Sequence, residues 1–205
     1  RERVEREIKR LAEREVAAVR FQRNGEGAAL CRFVHHTGAS NALRWGEVIP
    51  LTFVPPAALR AARVVVLSQP LRRYTAAAAM VPELLALGGE AFKALERAAH
   101  LRVVLLASSD LAHTHLASGP YGYSPAAAPF DAAIGRWARD PWANGDALLV
   151  EAARLEARAL SCGFTSLVML HGALVASGSA NRTRWWPRVL ANRAPTYYGM
   201  LVATF

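Results

Sequence analysis

The sequence contains little lysine, little cysteine and no long apolar run. All but two of its 25 basic residues are arginine, and its only cysteines, Cys31 and Cys162, lie far apart. No Cys-x-x-Cys pair and no Cys/His cluster occurs, which argues against a structural zinc site and favours the reducing cytoplasm. No apolar run reaches the roughly 18 residues of a membrane span, so we expect no membrane contact.

The familiar short catalytic motifs are also missing. The sequence has no Walker loop, Rossmann glycine fingerprint, GxSxG elbow or HExxH helix, which argues against the enzyme classes that these motifs mark. It opens on arginine without a charged-then-apolar signal peptide, so we expect the natural start to be missing. With 53% hydrophobic and 20% charged residues, the 205-residue chain has the composition of a globular protein with a sizeable core.

The net charge of +9 raises the question of an acidic partner. Basic charge interleaved with aromatic rings is typical of nucleic-acid binding, and the nearest instance is NRTRWWPR at 181–188. Elsewhere the arginines are scattered. A solvated basic surface therefore fits better than a nucleic-acid interface, which stays a minor alternative.

Hydrophobic periodicity predicts an α/β chain. Two runs, 62–70 and 101–108, are continuously apolar, which is typical of strands in a sheet that is covered on both faces. We therefore predict a single domain over 1–205 with a central mixed sheet flanked by helices. Helices are predicted at 1–20, 75–99, 129–140, 145–160 and 165–177, further strands at 28–34 and 196–205, and either a helix or a strand within 43–54.

The best candidate for a site is the loop SSDLAHTHLASGPYGY, which follows the predicted strand 101–108. Ligands of open α/β sheets bind beyond the carboxyl ends of strands, and histidine transfers protons near neutral pH. Asp110 precedes His113 by three residues, so it could orient this histidine or cap a helical turn. The spacing fits a catalytic loop and an ordinary polar loop alike.

A metal site needs about three convergent ligands. His113 and His115 could supply two of them from one face of a strand, but the spacing reveals no third, so the metal ligands stay unassigned. Cys162 precedes Gly163 at a predicted helix junction, and we interpret it as a packed small residue rather than a reactive thiol. His171 lies in an apolar stretch and is interpreted as a core residue.

Four segments, taken in order over 43–205, resemble the class III extradiol ring-cleavage dioxygenases, the LigB-like superfamily. LLASSDLAH with GPYGYSPAAAPFDAAI is similar to the family's strand end, PYGY loop and following helix start. LRWGEVIPLTF resembles its DHG…PL segment, and ALSCGFTSLVMLHGAL resembles its small-Gly-Glu-Cys-Gly segment. APTYYGMLVATF is similar to its closing strand.

This resemblance implies an αβ-sandwich and, in an active member, a non-haem Fe(II) that cleaves a catechol-type ring with dioxygen. His113 matches the family's proton-shuttling histidine, and Asp110 would shape the loop and orient it. Tyr121, Tyr123 and Trp45 match positions that face the substrate. His115 would be incidental. The resemblance also implies a homo- or hetero-oligomer.

The sequence departs from the family pattern at its ligand positions. The family's two iron-binding histidines belong to an N-terminal strand that the 205 residues do not include. The acidic third ligand falls on Ser161, and the histidine of the DHG segment falls on Trp45. Two expectations follow: a divergent ring-cleaving enzyme, or a metal-free, catalytically silent relative that acts as a partner subunit or scaffold.

Overall fold

A computed structural model of the chain describes residues 16–23, 29–36, 45–62, 64–67, 74–97, 102–178 and 185–205. The chain divides into two units, 1–71 and 72–205, which are described separately below. The mixture of helices and strands confirms the predicted α/β content. The single domain and the central sheet flanked by helices stay predictions.

The first unit contains a three-stranded sheet in the order β2-β1-β3. Strand β1 (Val16–Arg23) pairs antiparallel with β2 (Ala29–His36), and β3 (Val65–Leu67) lies parallel to β1. Helices α1 (Trp45–Thr52) and α2 (Pro56–Ala61) connect β2 to β3 in sequence. Proline opens α2, where its missing N–H has no helical partner to lose.

The predicted helix over 1–20 is wrong at its end, because residues 16–20 belong to β1. The segment VAAVRFQR contains two valines and a phenylalanine, residue types that favour strands. It pairs along its whole length with β2, and this pairing overrides the charge pattern that predicted a helix. Residues 1–15 lie outside the described part of the chain. The predicted strand 28–34 is confirmed as β2, and the segment 43–54 is helical over Trp45–Thr52.

The second unit is mainly helical, and its helices follow the predicted order, whereas the strand Arg188–Arg193 was not predicted. A 3-10 helix (Tyr74–Met80) leads into α3 (Val81–Glu96), followed by α4 (Ala127–Arg139), a π-helical turn (Ala147–Ala152), α5 (Ala153–Ala159) and α6 (Phe164–Ala176). Strands β4 (Arg188–Arg193) and β5 (Met200–Thr204) form an antiparallel pair that closes the chain.

The core of this unit is built around one face of α4. Phe130, Ile134 and Trp137 recur at helical spacing, and each is completely buried. Phe164 and Val168 of α6 belong to the same buried cluster. Helix α4 is therefore the central packing element of this unit.

Helices α3 and α6 approach each other unusually closely at two glycines. A Cβ atom on Gly88 would overlap the carbonyl group of Met169, and one on Gly172 would overlap the backbone of Leu85. The two backbones therefore lie in direct contact, which only residues without a side chain permit.

The predicted strand 101–108 is wrong over its described residues, 102–108, which adopt no regular secondary structure. Val104 is 90% exposed and Leu106 is 53% exposed. The run is apolar enough for a central strand, but no neighbouring strand pairs with it in the described part of the chain. None of the described helices combines the length and apolarity that crossing a bilayer requires.

Candidate functional site

Residues 111–115 lie between two other backbone segments that hold them in place. On one side, Leu111 donates its N–H to the Gly199 carbonyl at 2.9 Å, and Gly199 donates to the Ala112 carbonyl at 2.7 Å. On the other side, the His113 N–H donates to the Ala159 carbonyl at 2.8 Å, at the end of α5. The backbone of the predicted site loop is therefore fixed by contacts distant in sequence.

The turn at 160–163 brings Cys162 beside this segment. Leu160 ends α5 in the left-handed region with φ 54°. The Gly163 N–H and the Ser161 hydroxyl both donate to the Asp110 carbonyl, at 3.1 and 3.0 Å. A Cβ atom on Gly163 would lie 2.6 Å from that oxygen, so glycine is required for this close approach.

Three side chains meet where the two segments join. The ligating atoms of Asp110, His113 and Cys162 all lie within 4.8 Å of one another. Nε2 of His113 lies 3.6 Å from Oδ2 of Asp110, and the side chains are 12% and 45% exposed respectively. Cys162 is an exposed free thiol. The cluster therefore has a largely buried imidazole and an open rim.

The surroundings of His113 favour its protonated form. The Asp110 carboxylate, and after it the Cys162 sulfur, raise the pKa of His113 to about 9, although burial acts in the opposite direction. Such an imidazolium is a hydrogen-bond donor at both ring nitrogens.

Aromatic rings surround His113 on its other side. The imidazole stacks on Tyr121 with ring centroids 5.4 Å apart and 23° between the planes, and it meets the edge of Tyr197 at 6.3 Å. The two tyrosine rings lie 6.0 Å apart. Tyr121 is 53% exposed, so the cluster presents an aromatic surface to solvent beside the imidazole.

The second histidine of the loop lies in a separate, closed arrangement. Nε2 of His115 lies 2.7 Å from Oδ2 of Asp131 in α4, and the Ala112 N–H donates to Oδ1 of the same carboxylate at 2.9 Å. Burial raises the pKa of Asp131, while the Ala112 and His115 contacts counteract that rise. This pair attaches the loop to α4.

The structure brings three of the predicted site residues together, whereas Tyr123 on the same loop lies outside their cluster. Asp110, His113 and Tyr121 form one cluster, as described above. Tyr123 pairs through its backbone with His115, and its side chain is 67% exposed, outside the ring contacts of the described residues. Trp45 begins α1 in the first unit.

Sequence reasoning missed two residues of the cluster, Cys162 and Tyr197. The interpretation of Cys162 as a packed residue is wrong, because its thiol is exposed beside His113. The turn-forming SCG triplet directly before α6 is the signal that could have located it. By contrast, the interpretation of His171 as a core residue is confirmed, since it is 5% exposed.

Ser161 takes a structural part at the position where the resemblance puts an acidic ligand. Its hydroxyl donates to the Asp110 carbonyl at 3.0 Å and accepts from the Gly163 N–H at 3.2 Å. The residue is 4% exposed.

No family model matches the sequence, and a search of curated proteins returns no significant match.

Proposed function

We propose that the chain is a homologue of the class III extradiol dioxygenases whose site binds a small phenolic ring, with His113 as its proton-transfer group. The observation that carries this proposal is the position of His113. Its imidazole is largely buried, stacks on the half-exposed Tyr121 and faces Asp110. An aromatic surface beside a single oriented imidazole suits a planar ring that carries hydroxyl groups.

The chemistry assigned to this chain is binding and proton transfer. A phenolic ring gains from offset stacking on Tyr121 and Tyr197. Its ring oxygen would lie within reach of the His113 imidazolium, which can donate a hydrogen bond to the ionised oxygen and give it a proton. The Asp110 carboxylate lies 3.6 Å from Nε2 of His113 and stabilises the charged imidazole electrostatically. We also propose that the protein is located in the cytoplasm.

The iron implied by the resemblance does not fit the donor groups of the described residues. Non-haem Fe(II) oxygenase sites use two histidines and one carboxylate. The cluster found in the described part of the chain offers one carboxylate, one imidazole and one thiol. We therefore derive no step through iron.

A catalytically silent relative, acting as a partner subunit or scaffold, is the second candidate. The observation that favours it is Ser161, whose buried hydroxyl is engaged with the backbone of Asp110 and Gly163. A residue in that arrangement holds the turn together and offers a neutral hydroxyl in place of an anionic carboxylate ligand.

Catechol titration of the full chain tests the proposal. We expect saturable binding, followed by ligand-detected NMR, that Tyr121→Ala weakens by about tenfold because one stacked face is lost. Tyr123→Ala, on the same loop, should have the smaller effect because that ring lies outside the cluster. A wild-type chain that does not bind catechol would refute the proposal.

A turnover assay separates the two candidates. Catechol, dioxygen and added Fe(II) are supplied to the full chain, and the ring-fission product is followed by absorbance. Product that disappears in His113→Ala supports the enzyme. Binding of catechol without product supports the silent relative.

A further inference from the structure

We propose that Asp110, His113 and Cys162 form a binding site for a divalent transition-metal ion with the ligand preference of zinc. The observation is the convergence of three different donor groups, a carboxylate oxygen, an imidazole nitrogen and a thiol sulfur, within 4.8 Å of one another.

The spacing of Asp110 and His113 suits an ion better than a direct hydrogen bond. Their Oδ2 and Nε2 atoms lie 3.6 Å apart. Charge-assisted N–H···O bonds are about 2.7–2.9 Å long. Oxygen and nitrogen ligands of a tetrahedral zinc ion lie about 3.4 Å from each other, given metal–ligand distances of about 2.0–2.2 Å.

The neighbouring pair on the same loop provides an internal comparison. Nε2 of His115 and Oδ2 of Asp131 lie 2.7 Å apart, which is a closed hydrogen bond. Nε2 of His113 and Oδ2 of Asp110 lie farther apart, at 3.6 Å, although the Asp110 side chain is 45% exposed. The longer nitrogen–oxygen distance is therefore specific to the His113–Asp110 pair and is not shared by the second histidine of the loop.

The donor set selects the kind of ion. Thiolate, imidazole and carboxylate together are typical zinc ligands, whereas magnesium and calcium prefer oxygen alone. Three protein ligands leave one tetrahedral position for water or a substrate atom. Cys162 is exposed and Tyr121 is 53% exposed, so solvent reaches this side of the cluster.

The backbone around the three ligands is already organised. The Gly163 N–H and the Ser161 hydroxyl hold the Asp110 carbonyl, and the Ala159 carbonyl holds the N–H of His113. The Asp110 side chain is 45% exposed and Cys162 is exposed, so both can rotate toward an ion. Binding therefore requires little ordering of the backbone.

This inference goes beyond the proposed function. The two conflict at Nε2 of His113, the atom that both an ion and the transferred proton would need. Nε2 of His113 cannot bind an ion and exchange a proton at the same time, so a bound zinc-type ion would inhibit proton transfer. Ion binding is measured without catechol, and catechol binding is measured in chelator-treated protein. Failure of one proposal therefore leaves the other measurement unaffected.

Cobalt(II) titration of the full chain is the main test. We expect one equivalent to bind and to produce an intense near-ultraviolet band from thiolate-to-cobalt charge transfer, with zinc displacing the cobalt. Cys162→Ser should abolish the band, and His113→Ala and Asp110→Asn should each weaken binding by about a hundredfold. The control, Leu116→Ala, lies on the same loop at a residue that is 46% exposed and should bind cobalt as the wild type does.

Alkylation of the wild-type protein gives a test that needs no variant. Zinc at saturating concentration should slow the reaction of native Cys162 with iodoacetamide by about tenfold or more, as read by peptide mass spectrometry. No charge-transfer band, a band that survives in Cys162→Ser, or alkylation at an unchanged rate in zinc would each overturn the proposal.

Discussion

Nε2 of His115 lies 2.7 Å from Oδ2 of Asp131, and the two side chains are only 15% and 10% exposed. The same carboxylate accepts the Ala112 N–H at 2.9 Å. Asp131 belongs to α4, so this contact joins the site loop to the central helix of its unit. The two histidines of the loop therefore have different roles: His115 fixes the loop, whereas His113 faces the open cluster.

His115→Ala should lower the free energy of unfolding by about 1–3 kcal/mol, because it leaves the buried Asp131 carboxylate with one partner fewer. Urea denaturation of the second unit's helical signal measures this change. Leu116→Ala, at a neighbouring residue that is 46% exposed, should change it by less than about 0.5 kcal/mol. Equal effects of the two variants would contradict the structural role of the pair.

The helices of the second unit were predictable because their apolar residues recur locally. Phe130, Ile134 and Trp137 identify the buried face of α4 without any knowledge of its neighbours. The segments 16–20 and 102–108 were not predictable in this way. Whether each forms a strand depends on whether a partner strand pairs with it, and periodicity carries no information about partners.

The same distinction applies to the candidate site. Asp110 and His113 lie three residues apart, so their proximity follows from local sequence. Cys162 reaches them only because Gly163 bonds to the Asp110 carbonyl, and Tyr197 only because its own carbonyl accepts the His115 N–H at 3.1 Å. Those contacts are tertiary, and no spacing rule in one sequence reveals them.

Glu156→Gln should stabilise the protein at neutral pH and have no such effect near pH 4. Burial raises the pKa of Glu156 above its ordinary value of 4.5, and the residue is only 5% exposed. The unfolded chain therefore releases this proton at lower pH than the folded chain does. As the pH rises above about 4.5, Glu156 ionises first in the unfolded chain, so the wild type loses stability until the pH passes the folded-state pKa.

Urea denaturation of the Glu156→Gln variant and the wild type at several pH values measures the difference. It should grow as the pH rises and then level off. Glu151→Gln is the control, since that carboxylate is 54% exposed and lies beside Arg136. A Glu156→Gln effect that is the same at pH 4 and at pH 7.5 would refute burial as its cause.

His171→Phe should lower the free energy of unfolding by about 1–3 kcal/mol. The Trp137 Nε1–H donates to Nδ1 of His171 at 3.1 Å, and both residues are buried. Burial also lowers the pKa of His171, which keeps the accepting nitrogen unprotonated near neutral pH. Phenylalanine leaves the indole N–H without an acceptor.

A double-mutant cycle with Trp137→Phe isolates this hydrogen bond. Because the second substitution removes the unpaired donor, the double variant should be more stable than the sum of the two single changes predicts. Denaturation of all four proteins gives the coupling free energy. Simple additivity would show that the Trp137–His171 contact contributes nothing beyond packing.

Gly88→Ala should lower the stability of the protein, whereas Gly89→Ala should leave it unchanged or raise it, although the two residues are adjacent in α3. A Cβ atom on Gly88 would overlap the Met169 carbonyl in α6, so the helices must separate, at a cost of about 1–3 kcal/mol or more. A Cβ atom on Gly89 would lie 3.5 Å from the Ala176 Cβ, an ordinary contact. Alanine there gains about 0.5–1 kcal/mol of helix propensity. Thermal denaturation should therefore show a lower Tm for Gly88→Ala and an unchanged or higher Tm for Gly89→Ala. Equal losses of Tm in the two variants would mean that the close crossing of α3 and α6 does not cause the loss in Gly88→Ala.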